Sequence, residues 1–312
     1  MKQSNDSFTL DDEIEALCVY NFSYLICGLI NGGIQWCDIE KNAINSAANI
    51  SRASIRCIQV EDDVLFAGTS RGLIKAIDLR TNQLSHKLRR KGTDATNGIN
   101  CMATFNNRYI SSGDDSGCIS VWDLRSTKQA FLTIKECDDF ISDMTVDERK
   151  HTLLATSGEG TLTAIKYKQG KVQMQSELFD SELLCLSYVK DKTKIVCGSG
   201  DGVMYLFNEN EYGNMSDRFP VCKYSIDCVE LLNEDRLLLG CGDGQIRLIN
   251  VLPNQNVGII GPNLQVPIHS LKVIGNVVAV ACYDKTLHFI NVPKYKNFAN
   301  IDSTFFADLE LE

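Results

Sequence analysis

A turn of the form Gly-x-x-Asp-Gly, kept whole or in part, recurs seven times in this chain. Its first positions are Gly28, Gly68, Gly113, Thr156, Gly198, Gly240 and Ala281, at intervals of 40, 45, 43, 42, 42 and 41 residues. Ten residues beyond each stand Asp38, Asp78, Asp123, Lys166, Asn208, Asn250 and Asn291. A unit of about 40–45 residues that ends in this way reads as one four-stranded blade. Seven such units use almost all of the 312 residues. The expectation is therefore a single all-β ring, a seven-bladed β-propeller, and not the two domains of roughly 150 residues that length alone suggests.

Within each unit the pattern predicts strands a, b, c and d. Blade 3 shows it most openly: Ile99–Ala103 as strand a, Tyr109–Ser112 as strand b and Cys118–Asp123 as strand c. Between b and c, Gly113-Asp114-Asp115-Ser116-Gly117 is rich in residues that tolerate positive φ. Strand c alternates, with Ile119 and Val121 on one face and Ser120 and Trp122 on the other. The blades run at about 14–50, 53–90, 97–135, 139–177, 182–224, 225–262 and 267–292. The last blade has three strands of its own before Pro293 stops the ladder. Ser7–Leu10 is therefore expected to supply its outer strand and to remove the open edge. Residues 294–312 form an acidic tail with an aromatic motif.

Formal net charge is −9, which argues against the whole body lying on nucleic acid or anionic lipid. Thirteen cysteines, an odd number without any Cys-x-x-Cys, read as structural thiols. The N-terminal Met-Lys-Gln-Ser-Asn-Asp has no signal-type apolar segment, which predicts reduced thiols in a cytosolic or nuclear setting. On that expectation the Asn-x-Ser sequons at Asn5, Asn21, Asn49 and Asn214 are chance matches. His86, His151, His269 and His288 fall in no nucleophile or metal spacing. The expectation is a protein without catalytic residues, metal or cofactor.

The strings SSGDDSGCISVWDLR (111–125), FISDMTVD (140–147), LLATSGEGTL (153–162), IVCGSGDGVMYLFN (195–208), SDRF (216–219), SIDC (225–228) and GDGQIRLINVLPN (242–254) occur in that order. Together they resemble the WD repeat-containing protein 55 family over blades 2 to 7, continuing at Phe305-Phe306-Ala307-Asp308-Leu309. SDRF, SIDC and VLPN are the more specific strings, because blade geometry does not demand them. The resemblance implies a non-enzymatic nuclear or nucleolar factor in ribosomal RNA processing, since fungal relatives act in large-subunit assembly. It also implies partners among the proteins of pre-ribosomal particles. No apolar run approaches the roughly 18 residues of a membrane span, so no membrane partner is expected, and the propeller is expected to be monomeric. Cytoplasm is the alternative location. Two departures matter. The Gly-His pair of WD repeats is absent from every blade, and only Trp122-Asp123 is an intact Trp-Asp pair. The buried Asp–His–Ser–Trp hydrogen-bond chain of such repeats should therefore be missing. The basic linker of relatives is also reduced to Lys294 and Lys296.

Four features are candidate partner sites. Ser85–Lys91 places Lys87, Arg89, Arg90 and Lys91 at the approach to the longest inter-blade loop, which predicts weak, salt-dependent RNA contact. Ser216–Phe219 opens the outer strand of blade 5. Phe305, Phe306 and Leu309 form a short aromatic motif in acidic surroundings, of the kind that docks in a partner groove. Trp122-Asp123-Leu124-Arg125 resembles the motif by which some propellers dock onto a cullin-type ubiquitin ligase adaptor, with Arg125 as contact residue and Asp123 beside it. That last feature is the alternative functional reading: a ligase substrate receptor.

Overall fold

In the computed structural model, residues 7–39, 41, 43–90, 96–126 and 129–292 are described. They form seven four-stranded antiparallel sheets and, among the described residues, no helix. The innermost strands are Ile14–Tyr20, Ile55–Glu61, Ile99–Phe105, Ile141–Asp147, Leu183–Val189, Ile226–Asn233 and Ile268–Ile274. In blade 3 the remaining strands are Tyr109–Asp114, Cys118–Asp123 and Leu132–Lys135. The b–c turns and the d–a connections share one end of the ring, here the upper face. The a–b and c–d turns share the lower face.

The core is not one body but seven, one between each pair of neighbouring blades. Every blade is a sheet covered on both sides, so its middle strands are mostly buried and largely apolar. Alternation survives only as a choice of neighbour. Ile119 and Val121 pack toward blade 4, whereas Trp122 packs toward blade 2. The Trp122 indole N–H is buried with no hydrogen-bond partner among the described residues, which agrees with the absence of the Asp–His–Ser–Trp chain. In blades 2 to 5 the b–c turn is held instead by the residue after the anchor. Thr69 Oγ1 accepts from Leu73 N–H at 3.1 Å, and Ser199 Oγ from Val203 N–H at 3.1 Å. In blade 3, Asp114 Oδ1 accepts from Cys118 N–H at 3.0 Å.

The ring closes as the sequence leads one to expect. Ser7–Thr9 pairs antiparallel with Thr286–His288, giving blade 7 its outer strand. Phe8 meets Phe289 edge-on at 5.2 Å, and the seventh core joins Leu10, Ile14 and Leu17 to Ile274, Ala279 and Leu287. The turn that had lost its glycine, Asp284-Lys285, is part of this seam. Lys285 C=O accepts from Leu10 N–H at 2.8 Å, and Lys285 Nζ lies 3.2 Å from Asp12 Oδ1.

The anchor glycines mark where blades crowd the axis. A Cβ on Gly113 would lie 2.4 Å from Ile141 Cγ2 and 2.8 Å from Cys101 Sγ, and one on Gly240 would lie 2.5 Å from Cys228 Sγ. The cysteines named there belong to a second repeat. Cys57, Cys101, Cys185 and Cys228 each occupy the third position of strand a. Each donates S–H to the first carbonyl of the next blade's strand a: Ile99 at 3.6 Å, Ile141 at 3.7 Å, Ile226 at 3.4 Å and Ile268 at 3.9 Å. Burial pushes all four thiols up, so they remain protonated donors. Blade 4 departs at both positions together. Thr156 replaces the glycine and Asp143 the cysteine, while Ser142 Oγ bonds Thr156 Oγ1 at 2.8 Å and Leu183 C=O at 2.5 Å. Gly113→Ala should therefore destabilise the protein by about 1–3 kcal/mol, because Ile141 Cβ at the contact cannot move without shifting blade 4. The denaturant midpoint checks this, and an unchanged midpoint would show that the blades can separate at no cost.

Candidate functional site

The innermost strands enclose a channel of about 580 Å³. In all seven, register slips between the first and third residue, a bulge at the second. A bulge leaves its residue unpaired and re-aims the side chain. The bulged residues are Glu15, Arg56, Asn100, Ser142, Leu184, Asp227 and His269, and all line the channel. The fold thus places seven chemically different side chains at equivalent positions around one mouth. Asp115 and Tyr283 join them from the b–c turns.

Part of this ring is tied down. Arg56 Nη1 reaches Asp115 Oδ1 at 2.7 Å and Asn100 Oδ1 at 3.0 Å, bridging blades 2 and 3. Lower in the channel, Lys272 Nζ pairs with Glu230 Oε2 at 2.9 Å. Across the closing seam, Glu15 Oε2 and His269 Nδ1 are buried without a hydrogen-bond partner among the described residues. Burial pushes the His269 imidazole down to about 4, so it is neutral at pH 7. Tyr283 stands edge-on to it at 5.0 Å and is 58 % exposed. Desolvation pushes the Asp227 carboxyl up. These groups offer hydrogen bonds and charge to a side chain entering the mouth. Among the described residues no group of three or more His, Cys, Asp or Glu is placed to hold a metal ion.

Of the described candidate partner residues Asp123, Arg125, Lys87, Arg89 and Arg90, none lines this mouth. Asp123 and Arg125 sit at the c–d turn of blade 3 on the lower face. Asp123 Oδ2 accepts from Arg108 Nη2 at 2.6 Å and Arg125 Nη2 at 3.1 Å, and Arg108 and then Arg125 hold its carboxyl well below the usual range. Arg125 is 66 % exposed yet folded back on its own turn. The basic segment differs from expectation. Lys87 and Arg89 are on the outer strand of blade 2, Gln83–Arg89, and not in a loop. Leu88 between them is fully buried, so a run that reads as basic is an alternating strand. Arg90 turns the other way and pairs with Asp114 of blade 3 at 2.9 Å, its side chain only 16 % exposed. Lys91, Phe305, Phe306 and Leu309 lie outside the described residues.

The more specific strings acquire places. Asp217, in the outer strand Asp217–Pro220 of blade 5, accepts at Oδ2 from Asn254 Nδ2 at 2.7 Å, so SDRF and VLPN meet across two blades. Phe219 packs into the core between those blades. SIDC supplies Asp227 to the mouth and Cys228 to the blade seal. Sequence reasoning missed the mouth because its members share no residue type. Its signal was positional: Ile-x-Cys at 55–57, 99–101 and 226–228 and Leu-x-Cys at 183–185, each enclosing a channel residue.

One channel-wall group makes a pH test. Asp143 Oδ1 accepts from Met144 N–H at 2.8 Å and Oδ2 from Leu186 N–H at 3.0 Å, yet burial pushes its carboxyl up to about 6. The folded protein then binds this proton more tightly than the unfolded chain. Its contribution to stability is present near pH 4 and is lost as pH rises through about 6. The stability of the protein minus that of Asp143→Asn should fall by roughly 1–3 kcal/mol between pH 4 and pH 7. A flat difference across that range refutes the assignment.

The family model WDR55 matches residues 6–295. WD repeat-containing protein 55 homolog of Drosophila melanogaster is 29 % identical over 307 residues, covering 96 % of this chain and 61 % of the fly protein. WD repeat-containing protein 55 of Homo sapiens is 33 % identical over 218 residues, covering 69 % of this chain and 56 % of the human protein. The chain thus spans little more than half the length of these relatives. The crystal structure of the computationally designed Ika8 protein superposes with a TM-score of 0.72 at 16 % identity, over 91 % of this chain and 98 % of that one, a likeness of fold alone. A seven-bladed ring whose whole length answers to one family model, with SDRF, SIDC and VLPN each at a defined blade position, places this chain in the WDR55 family of WD-repeat proteins.

Proposed function

We propose that this chain is a protein-interaction scaffold acting in ribosomal RNA processing and large-subunit ribosome assembly, in the nucleus and nucleolus, without chemistry of its own. The observation that carries the reading is the family match across the whole propeller, residues 6–295. The ring supports it physically. Seven interlocked cores make a stiff body with two rims and a circumference, and affinity on such surfaces comes from a few anchors. The mouth residues lie on the upper face, whereas the Asp217–Asn254 contact and Arg125 lie at c–d turns of different blades on the lower face, so more than one partner can be held at once. The partners proposed are proteins of pre-ribosomal particles.

The ligase-receptor reading rests on Arg125, which remains exposed although it is paired with Asp123. Affinity purification of a tagged chain separates the two. The expected outcome is recovery of large-subunit proteins and precursor rRNA, unchanged by Arg125→Ala, with precursors of the large-subunit rRNA accumulating on depletion. Recovery of a cullin and its adaptor that is lost in Arg125→Ala would replace the assembly reading with the other.

A further inference from the structure

The outer strand of blade 2 carries charge that enters no ion pair among the described residues. In its register with Leu73–Asp78, Lys75 stands directly opposite Lys87, and Leu73 opposite Arg89. Directly opposed residues share a sheet face, so Lys75, Lys87 and Arg89 project on the same side. Like charges in this position destabilise a sheet. Lys75 registers the conflict: burial first, and then Lys87, hold its ammonium below the usual lysine range. Its Nζ donates to the carbonyl of Ile50, a neutral acceptor. Arg89 Nη2 likewise donates to the carbonyl of Arg71 at 2.9 Å. Lys75, Lys87 and Arg89 take part in no ion pair among the described residues. Arg71, on the adjoining turn, and Arg52, two residues past Ile50, are exposed and extend the row.

We propose that this cationic row, Lys75, Lys87 and Arg89 flanked by Arg52 and Arg71, is a binding site for the phosphate backbone of single-stranded RNA. Lys87 and Arg89 are two strand residues apart, roughly 6.7 Å. A row of separated cations along an edge suits successive phosphates of a polymer more than one phosphomonoester gripped from several sides. The sheet edge holds the cations at fixed spacing, so little order is lost on binding. Contact with backbone alone carries no base preference. The inference goes beyond the scaffold reading and is independent of it, since purified protein and RNA suffice to test it.

Fluorescence polarisation with a labelled oligouridylate is the test. With about three phosphates neutralised, the logarithm of the association constant should fall with that of salt at a slope of about −2. Replacing both Lys87→Gln and Arg89→Gln should cost about tenfold or more at low salt and bring the slope to about −0.7. Lys87→Glu supplies the second readout. It should abolish binding and also raise the thermal midpoint, because Lys75 then faces an opposite charge. No oligouridylate binding, or binding indifferent to these variants, overturns the proposal. So does preferential capture of phosphatidylserine vesicles or of a phosphoserine peptide through the same residues.

Discussion

Near the axis, the second strand of each blade must pass the first strand of the next at contact distance. At Gly28, Gly68, Gly113, Gly198 and Gly240 a single added carbon would lie within 2.4–2.8 Å of the neighbouring blade's isoleucine or of the blade's own cysteine. This close approach lets the S–H of Cys57, Cys101, Cys185 and Cys228 reach the next blade's carbonyl, and it brings the seven cores into register. The two blades that lack the glycine keep the contact by other means. Thr156 is paired with Ser142 and Asp143 in blade 4, and Ala281 lies in the seam that the N-terminal strand closes.

The same geometry generates the channel mouth. Packing the third residue of strand a against the next blade forces the second residue out of the ladder, and the bulge turns it toward the axis. The scaffold fixes the position while leaving the residue free to vary, hence Glu, Arg, Asn, Ser, Leu, Asp and His at equivalent places. Packing between blades and the chemistry of the mouth are thereby carried by neighbouring residues with separate tasks. Blade 2 shows the converse at its outer edge, where Lys75 opposite Lys87 worsens the sheet and leaves cations for another molecule.

Three losses relative to a full WD repeat have local remedies. Without the Gly-His pair, the b–c turns of blades 2 to 5 are held by Thr69, Asp114, Ser157 and Ser199, each bonding within its own turn. The Trp122 indole serves as apolar filling between blades 2 and 3. The degenerate turn of blade 7 uses its lysine to clasp Asp12 at the seam. Cohesion has shifted from a polar chain inside each blade to apolar contact between blades.

The ring, its blade count and its closure were legible in the sequence, because a period of about 42 residues with a positive-φ turn in each repeat admits few other folds. The family was legible too, through strings that blade geometry does not impose. The fate of individual charges was not. The basic run 87–91 reads as one patch, but Leu88 and Arg90 turn away from Lys87 and Arg89, and Lys75 arrives from a strand twelve residues earlier. Nor did spacing reveal that Asp217 meets Asn254, or that Glu15 and His269, at opposite ends of the chain, share one seam. Local pattern fixes which residues form strands, since that depends on near neighbours. Which side chains converge depends on the rotation from blade to blade and on ring closure, and only the tertiary structure decides that.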